Sequence, residues 1–278
     1  NWLKHYPCTN SWYGVVCGDQ GDERHANAVT DLLLDSNRLT SSLPTELGYV
    51  NISGAVLLNA NSLTGFMPTE LGNIRGLTDY FWLQSNLLTG GVPSQLGQLD
   101  RFAGSMKLSS NALSRELPSE ISQLDSKRGL GMGELAVDSN SLTGRFPSQI
   151  GHLTSLTSHL RMNDNEFTGV LPSELGLLGD AAAHGFTRGL ELQNNQFSYL
   201  IPTELGMLTS VTYGFLLYSN ELCGALPTEI GLVNSSANFD VETGNAIGSL
   251  CLFTPQPTVP PTSAPSPMPT LIPSSDPT

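Results

Sequence analysis

The sequence is poor in charged residues, and especially in basic ones. Only 13% of the 278 residues are charged, and 12 Lys and Arg stand against 25 Asp and Glu, for a formal net charge of -13. Such an acidic surface repels phosphate backbones, which argues against nucleic acid and anionic membranes as partners. No uncharged apolar run reaches the about 18 residues of a membrane span. A membrane is therefore expected as a partner only through an anchor beyond Thr278.

Catalytic and cofactor-binding motifs are also missing. The sequence has no HExxH, GxSxG, P-loop or kinase signature. The run GLGMG at 129–133 is not followed by the helix and acidic residue of a dinucleotide fold. The five histidines are scattered, without metal-ligand spacing. We therefore expect no enzymatic activity, no cofactor and no metal.

What the sequence does contain is a repeat. Eight prolines recur every 24 to 30 residues, and each follows an asparagine by seven residues. The pairs are Asn37 and Pro44, Asn61 and Pro68, Asn86 and Pro93, Asn111 and Pro118, Asn140 and Pro147, Asn165 and Pro172, Asn195 and Pro202, and Asn220 and Pro227. Self-similarity at such a period is typical of a solenoid.

The apolar residues predict what each repeat forms. Leu32 and Leu34 alternate before Asn37, so both point inward from a short strand that pairs in parallel with its neighbours. The asparagine amide can bond backbone groups that the turn would otherwise bury unpaired, which predicts a structural asparagine ladder. The Thr or Ser that follows each proline suits a helix start.

The pattern LxLxxNxLxGxLPxELGxL resembles the plant-type extracellular leucine-rich repeats of receptor-like ectodomains and polygalacturonase-inhibiting proteins. NSLTGFMPTELGNI at 61–74 and NEFTGVLPSELGLL at 165–178 carry the likeness, which covers about residues 2 to 251. It implies an α/β fold, namely a leucine-rich-repeat solenoid with parallel strands on the concave face and a disulfide cap at each end. The implied divisions are an N-terminal cysteine cap at 1–28, repeats at 29–232, a C-terminal cap at 233–254 and a Pro/Ser/Thr-rich disordered linker or stalk at 255–278.

The same resemblance implies the disulfides Cys8–Cys17 and Cys223–Cys251. Disulfides place the protein outside the cytosol, secreted or displayed at the cell surface or wall. Asn51 and Asn234 begin N-glycosylation sequons between strands. The tail after residue 254 holds nine prolines and predicts an extended stalk or spacer.

Several repeats are longer than the family's pattern. One extra residue precedes the strand at or beside Tyr80, Gly104, His159 and Gly214, and longer loops lie within 125–133 and 179–189. We expect the extra residues to bulge the approach to the strand without moving the inward leucines. The longer loops are expected to be mobile excursions.

The outward strand positions are the candidate binding surface. The outward positions that precede each asparagine by four residues form a central column: Leu33, Leu57, Trp82, Lys107, Ala136, Arg161, Glu191 and Leu216. An exposed Trp82 beside Tyr80, with cations two to three strands away, has the composition of an interaction hot spot. The candidate ligand-binding residues are Tyr80, Trp82, Lys107, Arg161, Glu191 and Tyr218.

The leading functional hypothesis is an extracellular recognition module that binds a protein, peptide or glycan on the concave face. One alternative is a secreted inhibitor of a cell-wall hydrolase, in which an acidic face meets a basic enzyme and salt weakens inhibition. Another is a structural wall or adhesion protein. The sequence leaves the oligomeric state open.

Overall fold

The computed structural model describes residues 13–18, 28–125, 132–179, 186–233 and 238–251. The strands, in chain order, are β1 (Val15–Cys17), β2 (Val29–Leu33), β3 (Thr40–Ser42), β4 (Val56–Leu57), β5 (Ser62–Phe66), β6 (Tyr80–Trp82), β7 (Leu87–Gly90), β8 (Ser105–Lys107), β9 (Ala112–Arg115), β10 (Leu135–Ala136), β11 (Ser141–Arg145), β12 (His159–Arg161), β13 (Glu166–Gly169), β14 (Gly189–Glu191), β15 (Gln196–Tyr199), β16 (Gly214–Leu216), β17 (Glu221–Gly224), β18 (Phe239–Asp240) and β19 (Ala246–Ile247).

These strands form two sheets, and the expected solenoid is confirmed. The concave sheet has ten strands in the order β1-β2-β4-β6-β8-β10-β12-β14-β16-β18, and only the β1–β2 pair is antiparallel. The second sheet, which we call the lateral sheet, joins nine strands in parallel from β3 to β19. The lateral sheet was not foreseen from the sequence.

The inward residues of the concave sheet stay in register along the whole solenoid. Each is the backbone partner of the next and is buried: Leu32, Val56, Phe81, Met106, Leu135, Leu160, Leu190 and Phe215. The extra residues before β6, β8, β12 and β16 therefore leave the core alignment unchanged, as expected. Burial of this column supplies the hydrophobic stabilisation of the stack.

The asparagine ladder joins successive repeats. The Leu63 amide donates to Asn86 Oδ1 at 3.0 Å, and Asn86 Nδ2 donates to the carbonyls of Leu58 and Leu83 at 3.0 Å. Asn245 makes the same contacts, since its Nδ2 donates to the Leu217 carbonyl at 2.9 Å. Strands β18 and β19 also extend both sheets. A divergent repeat thus lies inside the segment 233–254.

The convex side carries one short helix per repeat. All helices in the described part of the chain are 3₁₀ helices: Thr45–Tyr49, Thr69–Asn73, Ser94–Gln98, Ser119–Asp125, Ser148–His152, Ser173–Gly179, Thr203–Met207 and Thr228–Leu232. Each helix begins at the Thr or Ser that follows the proline, as expected, and at Thr69 the N-cap residue is Pro68, without a side-chain cap bond. The Thr69 hydroxyl lies instead 3.3 Å from the Glu70 carboxylate. The 3₁₀ helix is wound more tightly than an α-helix and is common in short segments such as these.

Disulfide-bonded cysteines lie near both ends of the described solenoid. Cys223 and Cys251 form a disulfide with a Cα–Cα distance of 5.2 Å. Cys17 is disulfide-bonded, while its expected partner Cys8 lies outside the described residues. Asn234, the tail 255–278 and most of the two longer loops also lie outside them. Asn51 is exposed beyond the first 3₁₀ helix.

In the portion described, no helix combines the length and apolarity needed to cross a bilayer.

Candidate functional site

The central column of the concave sheet lies in one line across the strands. Trp82 on β6 is the backbone partner of Lys107 on the adjacent strand β8, so this cation is nearer than the expected two to three strands. The line continues through Ala136, Arg161 and Glu191. Parallel strands lie about 4.8 Å apart, so side chains in this column contact their neighbours in the next repeat. The fold therefore brings five of the six predicted residues together. Tyr218 lies two residues beyond β16, and no hydrogen bond or ring contact of its side chain joins it to the other five, all of which the structure describes.

An aromatic pair forms one end of this site. The ring centroids of Tyr80 and Trp82 are 5.0 Å apart and the rings are tilted by 48°. Tyr80 is 44% exposed, whereas Trp82 is half-buried rather than exposed as expected. Both neighbours of the ring pack against it, since the Lys107 ammonium also lies 5.1 Å from the centroid of the Trp82 ring. Such a cation–π contact stabilises by about 0.5 to 2 kcal/mol.

A chain of charged side chains continues from the aromatic pair. Lys107 Nζ lies 2.8 Å from Glu134 Oε2, and Arg161 Nε lies 3.6 Å from Glu134 Oε1. Arg161 Nε also donates to Glu191 Oε1 at 3.2 Å. We call these four residues the charge ladder. Its two cations and two carboxylates are mutually compensated, so the cations are not free charges on the surface.

Glu134 is the residue that sequence reasoning missed. It occupies an outward position two residues before Ala136, and its side chain is buried between the two cations. The small Ala136 separates Lys107 from Arg161 in the column, which leaves both cations room to reach Glu134. The signal available in the sequence was the short side chain at a central position, flanked by two long basic ones.

Burial changes the acidity of two groups beside the ladder. Burial raises the pKa of the Glu191 carboxyl, and the neighbouring Arg161 opposes this shift. Burial also lowers the pKa of His159, and the positive charge of Arg161 lowers it further. His159 Nδ1 lies 2.9 Å from the Ser158 hydroxyl, and the His159 ring packs edge-on against Tyr213. Gly189 makes room for that ring, because a Cβ there would lie 3.0 Å from His159 Cδ2.

Buried polar atoms without a protein hydrogen-bond partner also concentrate on this face. Among the described residues they are Asn59 Oδ1, Trp82 Nε1, Gln84 Oε1, His159 Nε2, Asn163 Oδ1 and Gln193 Oε1, all at outward positions of the concave sheet. A buried polar atom without a partner costs about 1 to 3 kcal/mol. The core, by contrast, satisfies its amides through the asparagine ladder. These atoms are therefore the ones on this face with hydrogen-bonding capacity left for water or for a bound polar molecule.

The site shows no arrangement for metal chemistry. Within the described ranges, no group of three or more His, Cys, Asp or Glu side chains could hold a metal ion. The ladder's carboxylates are held by Lys107 and Arg161. The site can therefore bind through aromatic faces and hydrogen bonds.

Comparison with known proteins gives structural neighbours only. No protein-family model matches the sequence, and no curated protein matches it. The leucine-rich-repeat ectodomain of the receptor kinase GASSHO1/SCHENGEN3 from Arabidopsis thaliana, solved with CASPARIAN STRIP INTEGRITY FACTOR 2, aligns over 89% of this chain at 31% identity with a TM-score of 0.75. The Arabidopsis HAESA ectodomain, solved with an IDA peptide hormone, aligns over 88% at 26% identity with a TM-score of 0.69.

The alignments cover only part of these receptors, since the chain spans 27% of the first ectodomain and 38% of the second. A plant ice-binding protein shares the fold, with 19% identity, a TM-score of 0.60, and coverage of 85% of this chain and 77% of that protein.

Proposed function

Because the chain is a plant-type extracellular leucine-rich-repeat protein, we propose that it is a recognition module that binds an extracellular peptide or protein through its concave face. The observation that carries the proposal is the continuous line of side chains from Tyr80 and Trp82 through the charge ladder. Solvent-facing aromatic and Arg side chains are enriched at binding hot spots. The Cys223–Cys251 disulfide agrees with an oxidising compartment.

The charge compensation within the ladder favours ligands that bind by apolar and neutral polar groups. An anionic ligand would have to compete with Glu134 and Glu191 for Lys107 and Arg161. Breaking a partly buried pair leaves a charge without its partner, which costs free energy. Aromatic packing on Tyr80 and hydrogen bonds to the buried amides carry no such cost. We therefore expect a ligand bound mainly by apolar and neutral polar groups, with weak salt dependence.

The test is capture of extracellular peptides and proteins by the disulfide-intact chain. The concave variant is Tyr80→Ala with Arg161→Ala. Its matched control, Tyr49→Ala with Arg75→Ala, removes the same side-chain types from exposed positions outside the concave sheet. Melting temperatures are measured for both. We expect the control to keep, and the concave variant to lose, at least one partner identified by mass spectrometry.

Partner identity separates the functions. A secreted peptide or receptor protein supports the recognition module, whereas a cell-wall hydrolase inhibited in a salt-dependent manner supports the inhibitor. Equal capture by the two variants would rule out the concave face as the binding surface.

A further inference from the structure

A second concave feature lies on the lateral sheet, away from the charge ladder. A cavity of 280 Å³ opens over strands β11, β13, β15 and β17, and its polar lining comes from Arg145, Thr168, Gln196, Ser198 and Glu221. A second cavity, of 460 Å³, shares Arg145 and Val170 with it and continues toward the 3₁₀ helices. We call the two together the lateral cleft. Combined, they reach the size range of small-molecule sites, which is about 300 to 1,000 Å³.

The polar side chains of the lateral cleft lie on neighbouring strands at paired positions. Arg145 is the backbone partner of Thr168, and Thr168 is the partner of Gln196. A guanidinium, a hydroxyl and a carboxamide therefore follow one another across three strands. Ser198 and Glu221 are partners in the next pair of strands and add a hydroxyl and a carboxylate. No hydrogen bond or ion pair to another described protein group involves any of these five side chains.

A residue with left-handed backbone recurs at one position of the lateral strands, including the strands that line the cleft. Five lateral strands carry a glycine with positive φ at one equivalent position: Gly65, Gly90, Gly144, Gly169 and Gly224. Three lateral strands carry another residue at this position, namely Ser41 in β3, Arg115 in β9 and Tyr199 in β15, with φ of 79°, 71° and 72°. A non-glycine residue in the left-handed region costs roughly 1 to 2 kcal/mol. Tyr199 lines the cavity, so the strained position places an aromatic side chain there.

The glycine that Tyr199 replaces has a packing role in neighbouring repeats. The Phe66 side chain covers Gly90, and the Leu200 side chain covers Gly224, where a Cβ would lie only 2.3 and 2.2 Å away. Val170 is the corresponding side chain before Tyr199, and like Phe66 and Leu200 it is more than half exposed, here at the rim of both cavities. The result is an apolar rim beside a polar floor.

We propose that the lateral cleft binds a neutral oligosaccharide. Its floor offers donors on Arg145, acceptors on Glu221, and groups that both donate and accept on Thr168, Gln196 and Ser198. Sugar hydroxyls also donate and accept, whereas the C–H faces of a sugar ring pack against Tyr199 and Val170. The two cavities together carry one cation, Arg145, and two carboxylates, Glu221 and Glu174, so an anionic ligand gains no net attraction. The second cavity gives room for more than one sugar unit.

The experiment measures binding of uncharged tetrasaccharides of β-linked glucose and of β-linked xylose, with tetragalacturonate as the anionic probe. The cleft variant is Thr168→Ala with Gln196→Ala. The control, Thr40→Ala with Ser62→Ala, removes two exposed polar side chains that are likewise backbone partners on the lateral sheet. Saturation-transfer NMR detects binding and calorimetry gives the Kd.

We expect wild type and control to bind at least one neutral tetrasaccharide with the same Kd. The cleft variant should bind at least tenfold more weakly, about 1.4 kcal/mol. Tyr80→Ala, which tests the concave face, should leave the Kd unchanged. The proposal is overturned if no neutral tetrasaccharide binds at millimolar concentration, if the control weakens binding as much as the cleft variant, or if tetragalacturonate binds more tightly.

Discussion

The ammonium of Lys107 lies 2.8 Å from a carboxylate oxygen of Glu134, a residue only 7% exposed. Glu134 immediately precedes β10 and also pairs with Arg161, so one buried acid holds two cations from β8 and β12, the strands on either side of β10. This acid turns two long basic side chains into fixed parts of the concave face. Preorganised side chains lose less entropy when a ligand binds.

Removal of Glu134 should therefore destabilise the fold. Glu134→Ala leaves Lys107 and Arg161 close together without the acid between them. Because both cations are half-buried, we expect a loss of about 1 to 2 kcal/mol, below the value for a fully buried pair. Urea unfolding followed by circular dichroism measures it. Glu166→Ala, at an exposed position, is the control, and an equal effect of the two substitutions would contradict the structural role of Glu134.

The loss of stability on replacing a ladder asparagine should depend strongly on where that asparagine lies in the solenoid. Asn165 is 8% exposed, accepts from the Leu142 amide and donates to the Val137 and Met162 carbonyls. Asn165→Ala should cost about 3 kcal/mol, because it leaves several buried backbone groups unpaired. Asn37 occupies the same position of the first repeat but is exposed, so Asn37→Ala should cost far less. Similar midpoints for both variants in urea would argue against the ladder.

The glycine inside a 3₁₀ helix, such as Gly72 after Leu71, sets how closely helices of successive repeats pack. A Cβ on Gly72 would lie 2.1 Å from the carbonyl oxygen of Gln95 in the next repeat, whereas a Cβ on Gly231 would meet nothing within 4 Å. Gly72→Ala should therefore lower stability by about 1 to 3 kcal/mol through overpacking. Gly231→Ala should be neutral or slightly stabilising. Thermal unfolding of both variants tests this, and equal melting temperatures would refute it.

His159 makes stability fall in mild acid. Burial holds its folded pKa below the ordinary value of 6.5, so the unfolded chain binds the proton more readily. Stability is therefore lost as pH falls below about 6.5, and the loss is complete below the folded pKa. The raised pKa of Glu191 acts in the opposite sense, since the folded state then binds the proton more readily.

Substitution of His159 separates its effect on stability from the opposite effect of Glu191. His159→Gln should remove the loss, so the difference in unfolding free energy between variant and wild type should change as pH is lowered through this range. His152→Gln, exposed on the convex side, is the control. A difference for His159→Gln that does not change with pH would disprove the assignment.

The repeat architecture could be predicted because its signals are local. Asparagine and proline keep a constant interval, and the alternation around Asn37 has the period of a strand, so register follows from the chain itself. The disulfide Cys223–Cys251 followed from the family resemblance. The divergent repeat with Asn245 escaped notice because one extra residue separates Val241 from the asparagine, which breaks the pattern by which the others were found.

What the sequence by itself determined is the solenoid, its inward core and its structural asparagines. Only the tertiary structure decided that Glu134 joins Lys107 to Arg161, that a second sheet exists, and that Arg145, Thr168 and Gln196 lie side by side. The physical reason is distance along the chain. Arg161 and Glu191 are 30 residues apart, and their contact depends on how one repeat stacks on the next and which rotamers that stacking allows.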